Sequence, residues 1–406
     1  RPTMGMPRPA SSPAMRRAAI WHYGFLTAML LVLGALLLYP IFLTTRGAFF
    51  DDVAGHKGFT LVNLRLVFED PSLVGGLFNS LRIAATTTLL AMTIALPLAV
   101  LSVRCRFPLK GVFNALVLVP LILPPFVGAI GFKMMLGRHG AINTLLGTDF
   151  DLLGDAQFWG VVAVQALSLY PIVYLNATAA LANLDPALDE AAENLGAGFL
   201  RRFFTITLPL IRPGLFAGGT IVFIWSFTEL GTPLVFDYKS VTPVQIFLGL
   251  KEVESSPQPY ALTLVMLVVA VGVYLLGRVL FGGRAYAMHA KASRAASEHA
   301  LPGWRGALAA AAFAGVIGLA LLPHLGVVLT ALAEKGTWYR SVLPAEWTLH
   351  NFREALTHPD AFGSIVNSLK LSLAAVALNL SIGLAVGYLL VRTTIKGRWL
   401  LDALCM

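Results

Sequence analysis

A succession of long uncharged runs constrains this chain more than any motif does. They cover Phe25–Thr44, Ile83–Val103, Gly111–Phe132, Ala156–Leu184, Ser255–Gly277, Gly306–Ala333 and Leu371–Val391, and a further one opens near Trp399. Another, Pro213–Phe236, is interrupted only by Glu229. At ~1.5 Å of rise per residue each can cross a hydrocarbon layer of ~30 Å. A backbone inside that layer has no water to bond, so the runs must be helices that satisfy their own N–H and C=O groups. The expected fold is all-α and polytopic, with the lipid bilayer as its solvent. Composition agrees: 57% of 406 residues are hydrophobic, 13% are charged, and the mean hydropathy is +0.75.

Charge then orients the runs. Placing the tail, residues 1–19, in the cytoplasm puts 18 of the 30 Lys and Arg on the inner side and 15 of the 21 acids on the outer. That bias is the one membrane insertion favours. The net charge of +9 lies at the ends of runs and forms no stripe, which argues against a nucleic-acid partner. Arg16 and Arg17 precede the first run as in a signal peptide, but the run is too long and no small-residue cleavage site follows. Cys105 and Cys405 have neither metal spacing nor a disulfide framework. The eight histidines are scattered singly, and there is no G-x-x-x-x-G-K-[ST], G-x-S-x-G or H-E-x-x-H motif. No enzyme site is expected, and no cofactor or metal in this chain.

One charged stretch stands apart, DPALDEAAENLGAGFLRRFFTITLPLIRP, Asp185 to Pro213, in the cytoplasmic loop 183–212. Asp185 is an N-cap with Pro186 at the first helical position, and Asp189 and Glu190 favour the first turn. Gly196 is placed to end the helix in the left-handed conformation. A second short helix is expected from Phe199 to Thr207, carrying Arg201 and Arg202, with Leu208-Pro209 breaking it before the chain re-enters the bilayer at Pro213. Such a platform suits docking into a groove on another protein.

The pattern Glu190-Ala191-Ala192, three residues, Gly196, nine residues, Ile206, one residue, Leu208-Pro209 resembles the EAA loop of permease subunits in bacterial binding-protein-dependent ABC importers. The resemblance implies an importer transmembrane domain of type I and a non-catalytic subunit of the inner membrane with a cytoplasmic N-terminus. It also implies that the loop docks, through Glu190, Ala191, Ala192, Gly196, Ile206, Leu208 and Pro209 with Arg201 and Arg202 beside them, into a cytoplasmic ATPase. Two such ATPase subunits would bind the ATP and Mg. A periplasmic or extracellular substrate-binding protein would deliver cargo to the outer loops Arg46–Asn79 and Asp237–Pro259.

The chain also repeats itself. Phe59–Arg82 aligns without gaps on Trp347–Lys370 at an offset of 288, with nine of 24 positions identical, Asn63/Asn351 and Pro71/Pro359 among them. Six spans separate the copies, so they enter from the same side and form a parallel duplication. The expected organisation is a tail 1–19, a six-span repeat 20–281, a polar linker 282–304 and the start of a second repeat, 305–406. This narrows the resemblance to fused two-repeat permeases, cut short before a second coupling loop.

Within the spans, Glu229 falls 16 residues after Pro213, ~24 Å from the cytoplasmic side. An acid there faces a cavity or a polar partner. Two readings stay open: Glu229 lines the path near an outer gate, with Thr228, Gly231 and Pro233 loosening the helix and the carboxylate attracting a cation, or it is a structural acid. Pro120, Pro124 and Pro125 are expected to kink the third span as part of a static bundle, and Lys133 to snorkel outward. Phe227–Pro233 and Pro124–Gly128 resemble iron(III)-importer permeases most, and permeases for 2-aminoethylphosphonate and polyamines share the layout. An ion-coupled transporter or channel, or a scaffold without transport, are the readings from other classes.

Overall fold

The computed structural model describes residues 13–50, 58–149, 156–250, 257–281, 298–393 and 396–405. Helices dominate: α1 (Pro13–Leu33), α2 (Tyr39–Phe49), α3 (Val62–Glu69), α4 (Pro71–Arg104), α5 (Lys110–Leu116), α6 (Pro125–Leu136) and α7 (Ala141–Leu146). After them come α8 (Gln157–Ala182), α9 (Pro186–Asn194), α10 (Phe199–Arg202), α11 (Leu208–Thr228), α12 (Gly231–Val235), α13 (Thr242–Gly249) and α14 (Gln258–Phe281). The last four are α15 (Trp304–Leu332), α16 (His350–Thr357), α17 (Pro359–Arg392) and α18 (Arg398–Cys405). Two strands, β1 (Cys105–Arg106) and β2 (His299–Ala300), pair in parallel. Among the described residues seven helical segments are long and apolar enough to span a membrane, and one bent pair makes an eighth candidate.

The chain divides into two compact units, residues 1–47 with 352–406, and residues 48–351. In the first, Leu26, Val386, Leu389 and Leu401 form a small core joining α1, α17 and α18. Among the described residues, α17 buries no side chain other than Val386 and Leu389.

The second unit is built on three mutually packed helices, α4, α8 and α11. Ala84, Ala91, Ala95 and Ala99 repeat along one face of α4 and are fully buried. In a bilayer the hydrophobic effect does not press helices together, so small side chains that admit close backbone approach supply the packing. Leu169, Tyr170, Val173 and Ala177 of α8 fill the facing side.

The third span departs from the expected kink. Lys110–Leu121 and Pro125–Leu146 meet at 99°, because Pro120, Pro124 and Pro125 withdraw three N–H groups within six residues. The pair nevertheless follows one long neighbour, α15. Its contacts climb α15 in order: Phe113 meets Phe313 at 5.8 Å, Gly131 lies against Pro323 and Gly326, and His139 meets the Tyr339 ring at a tilt, 5.0 Å between centroids, just beyond the helix.

The fifth run is also redrawn. Leu208-Pro209 does not break the helix, and the span does not begin at Pro213: Phe199 to Thr228 is continuous. Phe203–Thr207 widens into a π-turn, with Leu208 N–H bonding the Phe203 carbonyl. The wide turn moves the Pro209 ring clear of the carbonyl four residues back. The first span uses the same device at Gly34–Leu38, ahead of Pro40. At its far end the run stops at Thr228, so Glu229 lies outside the helix instead of within it.

The linker expected at 282–304 falls outside the described residues up to 297. Its end is ordered: β2 docks on β1, Leu301 N–H bonds the Arg106 carbonyl at 3.0 Å, and Glu298 pairs with Lys110 at 2.8 Å.

The segments aligned in sequence share their geometry. The eight residues of α3 correspond to the eight of α16, and the 34 of α4 to the 34 of α17. Asn63 donates its side-chain amide to the Ala48 carbonyl, and Asn351 donates to those of Ala331 and Ala333. Thr60 and Thr348 each accept from the N–H two residues on.

Candidate functional site

The loop after α8 folds as its local signals dictate. Asp185 accepts from Ala187 N–H at 3.0 Å, Pro186 opens α9, and Gly196 adopts φ 82°. Ala197 N–H then bonds the Ala192 carbonyl at 3.0 Å, closing the helix end. A short extended step at Gly198 starts α10, which runs on into the span.

Which faces are free is decided by a brace that the sequence reading did not find. Arg104, at the end of α4, donates to Thr207 at 2.7 Å and to the Asp189 carboxylate at 3.3 Å. Arg202 reaches Glu193 at 2.6 Å and Asp189 at 3.7 Å. Asp189 thus sits between two guanidinium groups with only 29% of its side chain exposed. Glu190, its neighbour, points to solvent and takes part in none of these bonds. Arg201 and Arg202, adjacent in sequence, separate in the same way: Arg201 faces out and Arg202 is 11% exposed against the bundle. A signal for Asp189 was available in its helical register with Glu193, but its partner Arg104 lies 85 residues away.

The outer face of the elbow is apolar and open. Leu195 is 89% exposed, Leu200 and Phe204 are exposed too, and the exposed Leu188 and Phe199 edge the cavity behind the elbow. Ala191 and Gly196 are exposed as well, while Ala192 and Ile206 are half-buried. Leu208 is half-buried and Pro209 exposed where the segment joins α11. Exposed apolar side chains clustered at a loop mark an interaction surface. Behind the elbow, between it and Val100–Cys105, is a cavity of about 280 Å³ reached by His299 and Leu301. Burial pushes the Cys105 thiol up, with Lys110 and Arg104 opposing the shift.

At the other end of α11 the chain turns at Glu229. Its carboxylate accepts from Thr232 N–H at 3.2 Å and from the Thr232 hydroxyl at 3.4 Å, capping α12. Thr228 is exposed and bonds back to the Ile224 carbonyl, Gly231 packs on the Phe126 ring, and Pro233 is buried. Glu229 also lines a cavity of about 370 Å³ with Trp225, Ser168 and the broken segment Pro120–Phe126. The carboxylate is both a cap and a cavity wall. Deeper in the bundle, Thr87 of α4 and Ser226 of α11 both donate to the side-chain oxygen of Gln165, a fully buried residue of α8. This polar contact pins the three core helices at one level.

Residues 88–338 match the family described as binding-protein-dependent transport system inner membrane component. The chain belongs to that family. It is 33% identical over 171 residues to the molybdenum transport system permease protein ModB of Escherichia coli, covering 42% of this chain and 74% of that protein. It is 24% identical over 402 residues to the ferric transport system permease protein FbpB of Actinobacillus pleuropneumoniae, covering 94% of this chain. The chain spans 56% of that relative's length. A bacterial ABC transporter involved in the import of the acidic polysaccharide alginate shares the fold, with a TM-score of 0.53 at 17% identity, covering 65% of this chain and 96% of that one.

Proposed function

We propose that this chain is the permease subunit of an ATP-driven importer in a bacterial inner membrane, and that Asp185–Arg212 is its coupling loop. The observation that carries this reading is the elbow itself. One face is apolar and bare, while the other is fixed by the Arg104–Asp189–Arg202 brace to the end of α4 and the start of α11. A force on the bare face is passed to two of the three core helices. The partners are two cytoplasmic ATPase subunits, which hold the ATP and Mg, and a soluble binding protein on the opposite side. Glu190, Ala191, Gly196 and Arg201 meet the ATPase, and Glu229 lines the path beside the broken third span. The shared geometry of α3–α4 and α16–α17 supports a fused two-repeat permease.

The cargo we infer is iron(III), because the ferric permease aligns along 94% of this chain. Molybdate is the second reading, favoured by the higher identity of ModB over a shorter stretch. Uptake of labelled iron(III) and labelled molybdate by proteoliposomes holding the whole importer separates them.

The elbow's side and partner are tested together. Leu195→Cys, in a background with both native cysteines replaced (Cys105→Ser and Cys405→Ser), is expected to react with a membrane-impermeant maleimide only from the cytoplasmic side, and the intact chain to co-purify with an ATPase subunit. Labelling confined to the outer side ends the importer reading.

A further inference from the structure

Away from the elbow and the Glu229 cavity, α4, α11 and α14 leave a slot of about 350 Å³ on the surface of the second unit. Met92 forms its floor, Phe216, Thr220 and Phe223 one wall, and Tyr274 and Phe281 the other. The walls run antiparallel: the Phe216 and Tyr274 rings stack at 6.1 Å, and Gly277 lies directly beneath the Phe216 edge. From Arg212 at one end to Ile224 at the other the slot is twelve residues long, ~18 Å at ~1.5 Å per residue.

Its chemistry is one-sided. Except at Arg212 the lining is hydrocarbon with a few hydroxyls, and it lies on helices that cross the membrane. Arg212 is exposed at the mouth and, among the described residues, is in no ion pair. It stands on the coupling-loop side, ten residues beyond Arg202, and α14 ends alongside it with Arg278 in its last turn. An unpaired guanidinium at that depth is stabilised by reaching the phosphate layer, and guanidinium binds phosphate through paired N–H donors.

We propose that the slot binds one anionic phospholipid of the coupling-side leaflet, with its phosphate on Arg212 and an acyl chain laid between α11 and α14. The lipid fills space that protein atoms leave open beside α11, the span continuous with the coupling loop. It makes the fit of α11 against α14 depend on headgroup charge. The site rests on the chain being membrane-embedded and not on which cargo it carries.

The test is native mass spectrometry of the intact chain released from nanodiscs of phosphatidylglycerol and phosphatidylcholine in equal parts. The wild-type chain is expected to retain one phosphatidylglycerol. Arg212→Gln should lower that retention about tenfold and abolish the headgroup preference, and Arg212→Lys should keep part of it. Thr220→Trp, which fills the slot, should lose the lipid whatever its headgroup. Arg65→Gln, on an exposed arginine paired with Glu69 far from the slot, should behave as wild type. Equal phosphatidylglycerol retention by wild type and Arg212→Gln overturns the proposal. So does a wild-type chain that retains no lipid, the result if another protein helix fills the slot. Transport is not read, so failure of the importer reading would leave this outcome unchanged.

Discussion

Replacing Asp189 with Asn removes one charge from between two guanidinium groups and leaves the backbone of α9 intact. The carboxylate lies 3.3 Å from Arg104 and 3.7 Å from Arg202. At an effective dielectric of ~20 each attraction is ~4–5 kcal/mol gross. Desolvation of three partly buried ions offsets most of that. With side chains 11–29% exposed, the net loss should fall between the ~0.2–1 kcal/mol of an exposed pair and the ~3–5 kcal/mol of a buried one. A value of ~2 kcal/mol is expected, larger than for Arg104→Gln, because the neutral amide leaves two cations facing each other while Arg202 still holds Glu193. That corresponds to ~30-fold more frequent opening of the elbow. Hydrogen exchange of the purified chain reads it directly: amides at the end of α9, Ala191 to Asn194, should exchange ~30-fold faster. The double variant with Arg104→Gln should be non-additive by ~1 kcal/mol or more. Unchanged exchange together with strict additivity would refute the brace.

Other expectations follow from single positions. Gly196→Asp places a β-carbon at φ 82° with nothing within 4 Å of it, so the cost is backbone strain of ~1–2 kcal/mol confined to the elbow. Uptake should be abolished while membrane insertion, read by protease mapping, stays normal. Glu229→Gln keeps an acceptor for the Thr232 N–H and removes the charge. Assembly should be normal and iron(III) uptake should fall at least tenfold, and full uptake would leave Glu229 as a cap alone. Gly131→Ala drives a methyl into the Pro323 carbonyl and within 2.9 Å of Val327 N, where neither backbone can yield easily. A loss of ~2 kcal/mol or more is expected in denaturant titration of the detergent-purified chain.

The readings that held in geometry are those whose causes lie within a few residues. A run of apolar side chains in lipid is driven to helix by its own backbone, and breaks only where its sequence removes donors, as the prolines at 120–125 do. Asp185-Pro186 starts a helix through its own side chain and ring, and Gly196 ends one because only a residue without a β-carbon takes φ 82° freely. The readings that failed were of the same local kind but were settled elsewhere. Proline at 209 was expected to break a helix, and a π-turn absorbed it, since α11 gains more by continuing against α4 and α8 than by stopping. Glu229 was expected inside a helix begun at Pro213, whereas the helix is already under way at Phe199 and stops at Thr228.

The sequence by itself determined that this chain is a bundle of membrane helices, where its charged elbow begins and turns, and that one segment recurs 288 residues later. Tertiary structure alone decided which of the adjacent acids Asp189 and Glu190 braces the elbow, which of Arg201 and Arg202 faces out, and which helix the broken third run packs along. The reason is physical. Each choice depends on a partner far along the chain, Arg104 for Asp189 and α15 for the third span, and spacing within a segment carries no information about what packs against it.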